Sequence, residues 1–268
     1  MTNASEMDRR RQLSQPQWLE AMGIDPFWIE NLVSFEPTVG QSVSDLSAAP
    51  ASKNGRTTTR PNAATQANAV SNANASLVES ASDWDTLEAT IRACRSCGLC
   101  EGRKQAVPGV GDRKATWLLV GEAPGTEEDA AGLPFVGKAG KLLDAMLAAL
   151  GLNRQTGVYI ANAVKCRPPE NRTPEKAEID ACNHYLNQQI EWIQPQVIVA
   201  LGRPAAYAVL GREGSIQSLR GAVQYRTQGE RRIPVVVTYH PAYLLRQPEE
   251  KWKSWQDLLL AESTLVKT

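Results

Sequence analysis

Four short apolar runs constrain this chain more than any other feature: Thr116–Gly121 (TWLLVG), Val158–Val164 (VYIANAV), Gln196–Leu201 (QVIVAL) and Ile233–Tyr239 (IPVVVTY). Each is close to continuous rather than alternating, which suits strands covered on both faces. Between and after them lie stretches of helical spacing at Ala139–Leu150, Pro174–Ile193, Pro204–Leu210 and Pro248–Val266. Strand and helix alternate, so the expected fold is an α/β protein, a three-layer α/β/α sandwich around a mainly parallel four-stranded sheet. In such sheets ligands bind outside the carboxyl ends of the strands. The residues that follow each strand are therefore the first to inspect for chemistry.

The strands all lie in the C-terminal part of the chain. Between Glu36 and Trp84 there is no Phe, Tyr, Trp or Ile, and Ala, Ser, Asn, Thr and Gln dominate. A segment of that composition cannot bury enough apolar surface to offset its chain entropy. Three parts are expected: an N-terminal aromatic peptide at 1–36, a disordered linker at 37–82 and a folded body at 83–268. In the first part, Trp18, Leu19 and Met22 share a helical face, Gly23 stops the helix, and Phe27 and Trp28 follow a proline. Such a helix either packs back on the body or serves as a docking peptide, with Trp18 and Trp28 as anchors for a protein partner.

Charge excludes some functions. The chain carries 29 Lys+Arg and 29 Asp+Glu, so no global field can hold a polyanion, and a nucleic-acid contact must come from local patches. The body alone, with 23 Lys/Arg against 21 Asp/Glu, is hardly more basic, but Lys165, Arg167 and Arg172 cluster after the second strand. No apolar run reaches the ~18 residues of a membrane span, and the polar N-terminus has no signal-like core. A cytoplasmic, monomeric protein without a membrane partner is the expectation.

In that setting the five cysteines speak for metal binding or catalysis rather than for disulfides. Cys94, Cys97 and Cys100 open the body, Cys166 follows the second strand, and Cys182 lies on the long helix. Four thiolates from three segments suit zinc or an iron–sulfur cluster, and the missing second C-x-x-C knuckle favours the cluster. Cys182 also shares a register with Ile179, Leu186, Ile190 and Ile193, as a buried apolar cysteine would.

The strand ends carry unusual residues. Gly121-Glu122-Ala123-Pro124-Gly125 makes a tight loop ahead of the acids Glu127, Glu128 and Asp129, which read most simply as a solvated acidic turn. Phe135 sits between glycines, Asn162 interrupts an apolar strand, and the fourth strand runs into His240-Pro241-Ala242-Tyr243-Leu244-Leu245-Arg246. Carboxylate, aromatic ring, amide and imidazole thus gather along one edge of the sheet.

These stretches resemble the iron–sulfur (family-4) uracil-DNA glycosylases. The resemblance rests on GEAPGTEED (121–129), GLPFVGKAG (132–140), VYIANAVKCRPPENRTP (158–174), HPAYLLR (240–246) and the set Cys94, Cys97, Cys166 and Cys182, and runs from about Arg92 to Asp257. It implies a DNA-repair enzyme that flips uracil out of DNA and hydrolyses the N1–C1′ bond, leaving an abasic site. It also implies a [4Fe–4S] cluster on those four cysteines, with Cys100 spare. Phe135 would stack on the flipped base, Asn162 would read its edge, and His240 would lie near O2. Glu122 and Ala123 would line the pocket, with Glu128 on the C5 side. Better-known uracil glycosylases carry a water-holding Asp where this chain has Ala123, which leaves Glu122, Glu128 and Asn171 as candidates for that task. Asn171 reads equally well as a turn residue. Leu244 or Leu245 would wedge into the vacated duplex while Arg246 holds a phosphate.

Physical chemistry agrees with these roles. A base must leave the stack before any side chain can reach it. Stacking is indifferent to base identity, whereas an amide that donates to O4 and accepts from N3–H meets a reversed pattern on cytosine. A donor at O2 stabilises the departing uracil anion. Two rivals remain: a non-catalytic uracil-DNA or single-strand-binding relative, and a redox or zinc enzyme acting on small molecules. Relatives that trap uracil-DNA covalently use a histidine-bearing insertion after the second strand, and residues 164–172 contain neither.

Overall fold

The computed structural model describes residues 83–265. The aromatic peptide expected at 1–36 and the linker expected at 37–82 lie outside the described residues.

The four apolar runs become four parallel strands: β2 (Trp117–Gly121), β3 (Val158–Asn162), β4 (Val197–Leu201) and β6 (Arg231–Thr238). Two antiparallel edge strands, β1 (Val110–Gly111) and β5 (Val223–Gln228), enlarge the expected four-stranded sheet to six, in the order β1-β3-β2-β4-β6-β5. Both edges escape the apolar-run criterion for a physical reason. The short β1 includes a glycine that packs directly on the backbone of Val158 and Tyr159. In β5, Val-Gln-Tyr-Arg-Thr-Gln alternates polar residues and is half exposed, as an outer strand should be.

Alternate residues of each central strand serve opposite layers. Leu118, Val120, Ile198 and Ala200 pack against α1 (Trp84–Ala93), α5 (Lys176–Ile193) and α6 (Arg203–Leu210). Trp117, Leu119, Val197 and Val199 pack against α4 (Lys138–Ala149), α8 (Pro241–Arg246) and α9 (Lys251–Leu265). The result is an α/β/α sandwich. Among the described residues no helix is long and apolar enough to cross a membrane.

Three short helices, α2 (Leu99–Gly102), α3 (Thr126–Ala131) and α7 (Ile216–Leu219), fill the loops. The acids expected to form a solvated turn instead begin the helix α3. Its acids sit in the first turn, where the helix dipole favours negative charge, and Asp129 is buried, accepting the amide hydrogens of Lys104 (2.8 Å) and Gln105 (3.3 Å).

The chain order fixes where a ligand can enter. From β2 the chain passes to β3 on one side, then to β4 on the other, so the crossovers diverge between β2 and β4. Gly121 pairs with Asn162, and Leu201 with Thr238, which brings the carboxyl ends of all four parallel strands to one edge. A crevice at that point is where open α/β sheets bind ligands.

Candidate active site

A cleft of about 660 Å³ opens at this edge, and Glu122, Glu128, Phe135, Asn162, Asn171 and His240 all line it. Ala123 and Arg246 line it as well. Loops that follow β2, β3 and β6 thus bring together the residues singled out from the sequence.

Asn162 ends β3 on the cleft floor. It is buried, and its side-chain oxygen has no hydrogen-bond partner. A buried unsatisfied acceptor costs roughly 1–3 kcal/mol, so such an atom in a cleft marks the place for a ligand's donor. Gly121 makes the arrangement possible. A Cβ there would lie 2.4 Å from Asn162 Oδ1 and 2.5 Å from the Phe135 ring, so only glycine lets amide and ring meet at this point.

Phe135 is held in a left-handed conformation, with φ of 54°. Such a backbone is unfavourable for a bulky residue and must be over-determined by its surroundings. Arg154 supplies the restraint: it donates to the carbonyl of Pro134 at 2.9 Å and to that of Phe135, and pairs with Asp144. Gly140 lets α4 start directly against the Phe135 carbonyl. Nothing in the sequence marked Arg154, because its partners, two main-chain carbonyls and the Asp144 carboxylate, are brought near only by the fold.

His240 caps α8. Its Nδ1 accepts the amide hydrogen of Ala242 at 3.1 Å, and Pro241 occupies the first helical position, where no amide hydrogen is needed. The imidazole stacks 5.5 Å from the Phe135 ring, at 29°. Burial above all lowers its pKa to about 4; Arg246 pushes the same way and Glu128 opposes them. At neutral pH the ring is uncharged with Nδ1 occupied as acceptor, so its hydrogen is on Nε2.

The three candidates for holding water separate on geometry. Glu128 has both carboxylate oxygens engaged by backbone amides, Gly125 at 3.1 Å on one and Val136 and Gly137 at 3.0 Å on the other. It clamps the start of α3 to the loop that carries Phe135. Asn171 is an exposed turn residue with φ of 55°, and its side-chain oxygen accepts from Arg167 at 2.7 Å. Glu122 is half-buried on the cleft wall, where burial pushes its carboxyl pKa up while the Thr173 hydroxyl and Arg203 pull it down. Ala123, between Glu122 and Pro124, contributes only backbone and a methyl group.

The expected wedge also divides. Leu244 is fully buried in the layer with Trp255 and Leu258, so it is removed from the wedge assignment: an inward-facing core leucine cannot enter a duplex. Leu245 is 44% exposed and Arg246 is exposed beside it.

On the opposite layer the cysteines gather. Cys94 and Cys97 lie between α1 and α2, Cys166 follows β3, and Cys182 lies on α5 within the core. They are close enough that the charges of Cys94 and Cys166 reach both Cys97 and Cys182. Burial pushes the Cys97 thiol up to about 11 and that of Cys182 up to about 12, and it raises Cys166 as well. Arg103 donates to Cys166 Sγ at 2.8 Å and to the carbonyls of Arg92 and Cys94. The amide of Lys165 points at Cys182 Sγ at 3.4 Å, and that of Ser96 at Cys94 Sγ at 3.4 Å. Such N–H···S donors suit ligating thiolates. Among the described residues no three His, Cys, Asp or Glu side chains are placed to hold one metal ion.

Comparison with known proteins gives the family. A sequence model of the Uracil DNA glycosylase superfamily matches residues 108–259. The type-4 uracil-DNA glycosylase of Archaeoglobus fulgidus is 44% identical over 169 residues, covering 62% of this chain and 84% of that protein. The type-4 enzyme of Pyrobaculum aerophilum is 43% identical over 182 residues (66% and 92%), and that of Thermotoga maritima 47% over 157 residues (58% and 80%). A family model that matches more than half of the chain, and relatives of this identity matched over most of their length, lead to one conclusion: the chain belongs to the uracil-DNA glycosylase superfamily.

Proposed function

We propose that this protein is a monofunctional uracil-DNA glycosylase, which removes uracil from DNA by hydrolysing the N1–C1′ bond and leaves an abasic site. The observation that carries this reading is the unpaired, buried Oδ1 of Asn162 beside the Phe135 ring. Uracil presents a donor at N3–H, where cytosine presents an acceptor. Admitting cytosine would therefore leave a buried polar group unpaired, a far larger penalty than a misplaced methyl group.

In this reading each residue has one task. Phe135, fixed by Arg154, offers a stacking face to a base that has left the duplex, and stacking is worth about 1–3 kcal/mol. Asn162 accepts from N3–H and donates to O4. His240, neutral with its hydrogen on Nε2, donates to O2 as the glycosidic electron pair moves onto the uracil. Glu122 orients a water whose oxygen adds to C1′; the proton lost there and the one gained by the uracil anion balance. Glu128 and Asn171 support the loops. Leu245 enters the vacated space of a duplex, and Arg246 contacts a flanking phosphate.

A [4Fe–4S] cluster on Cys94, Cys97, Cys166 and Cys182 fits this donor set: four cysteines from three segments, with N–H donors from Arg103, Lys165 and Ser96 aimed at their sulfurs. Bound there, it would cross-link the loop before α2 to β3 and α5. Cys100 is left outside the set.

The test is a single-turnover assay on a uracil-containing oligonucleotide. Release of free uracil, with strand breakage appearing only after hot alkali, is the expected result. Binding without release would favour the non-catalytic reading, and a borohydride-trapped adduct would contradict a monofunctional mechanism.

A further inference from the structure

Lys165 is a lysine whose side chain is almost wholly inside the protein, 1% exposed. Burying an ammonium group is expensive, so its polar contacts show what it is kept for. Its Nζ donates to the backbone carbonyl of Asn162 at 3.0 Å and to Gln189 Oε1 at 2.7 Å. Gln189 is itself fully buried; its amide donates to the carbonyl of Pro108 at 2.9 Å and meets the Tyr159 hydroxyl at 3.4 Å. The lysine's own carbonyl accepts the amide hydrogen of Val107 at 2.8 Å.

Asn162 is the last residue of β3, and the peptide that follows it is held from two sides: the Ala163 amide donates to the carbonyl of Gly121 at 2.9 Å, while the Asn162 carbonyl accepts from Lys165 at 3.0 Å. The side-chain oxygen of Asn162 has no protein partner that could steady it. Its orientation therefore depends on the backbone beneath it. We propose that Lys165 is a positioning residue: anchored through Gln189 to the segment before β1, it fixes the terminal carbonyl of β3 and so aims the Asn162 amide at the base. This rests on the base-reading role of Asn162. It also gives the Lys165–Cys166 segment a second task beside its place against the cysteines. Misplacement of a reacting group by a fraction of an ångström to an ångström can cost up to about 100-fold in rate.

The test is a double-mutant cycle with the full-length holoenzyme, using Lys165→Met, Asn162→Ala and the combination. Single-turnover excision, binding of uracil-DNA and iron content are measured for each. Lys165→Met is expected to slow excision about tenfold or more, with DNA binding and iron unchanged. In the Asn162→Ala background the same change is expected to cost almost nothing, because there is no amide left to aim. An equal cost in both backgrounds would overturn the proposal, as would loss of iron in Lys165→Met, which would make the lysine a support of the cysteines. Full activity in Asn162→Ala alone would instead overturn the base-reading role, and the positioning role with it. Should Lys165→Met not fold, Gln189→Leu removes the anchor of the ammonium group and runs the same cycle. A smaller loss in the same direction is expected there, and an unchanged rate overturns the proposal.

Discussion

The Nδ1 of His240 accepts the amide hydrogen of Ala242 at 3.1 Å, which leaves Nε2 as the hydrogen-bearing nitrogen of a neutral ring. Burial lowers the pKa of this histidine to about 4. The unfolded chain takes up a proton near the ordinary value of about 6.5, and the native state does not until about 4. Stability linked to His240 is therefore complete above about 6.5 and falls as pH drops from there toward 4, below which it levels. Thermal melts across that range should show a smaller acid loss in His240→Asn than in the parent. The comparison isolates His240 from His184, whose pKa burial also lowers. A His240 resonance titrating near 6.5 would contradict the assignment.

Glu128 accepts three backbone amide hydrogens, so Glu128→Gln must turn an NH₂ group toward at least one of them. A cost of about 1–3 kcal/mol in stability is expected, with slower excision because the Phe135 loop loosens. Unfolding and excision measured together decide the case. Unchanged stability with abolished excision would show a direct chemical role.

Leu244 and Leu245 should behave as opposites. Leu244→Ala is expected to destabilise the fold by about 2–5 kcal/mol, as a truncation in the core does. Leu245→Ala should leave stability alone and slow excision from duplex DNA much more than from single strands, since only a partner strand competes for the base. An unchanged duplex to single-strand ratio in Leu245→Ala would remove the wedge.

Cys182→Ala should lose iron and most soluble protein, whereas Cys100→Ala should keep both. Iron analysis and visible absorbance check this. The reverse pattern would reassign the fourth ligand to Cys100.

How far the sequence was legible depended on whether a residue's task is local. The central strands announce themselves because both faces are buried, as at Val197–Leu201. The edge strand Val223–Gln228 is half exposed and reads as polar loop. Phe135, Asn162 and His240 stand out because each is an odd residue just after or within a strand or loop of the expected edge. The clamp made by Glu128 depends on amides eight and nine residues away, and Arg154 acts on carbonyls nineteen and twenty positions back. Such partners exist only once the fold is formed, so spacing carries no trace of them. Leu244 and Leu245 were indistinguishable until α8 turned one inward.

The division of labour between edge and face is the centre of this account, and one comparison tests it most directly. Single-turnover excision of uracil is measured for the parent, Asn162→Ala and Phe135→Ala on the same oligonucleotide. In the proposed mechanism the amide would supply both orientation and selectivity, whereas the ring would supply a face that any base could use. Asn162→Ala is therefore expected to lose clearly more activity than Phe135→Ala. Equal losses, or a larger one in Phe135→Ala, would contradict it.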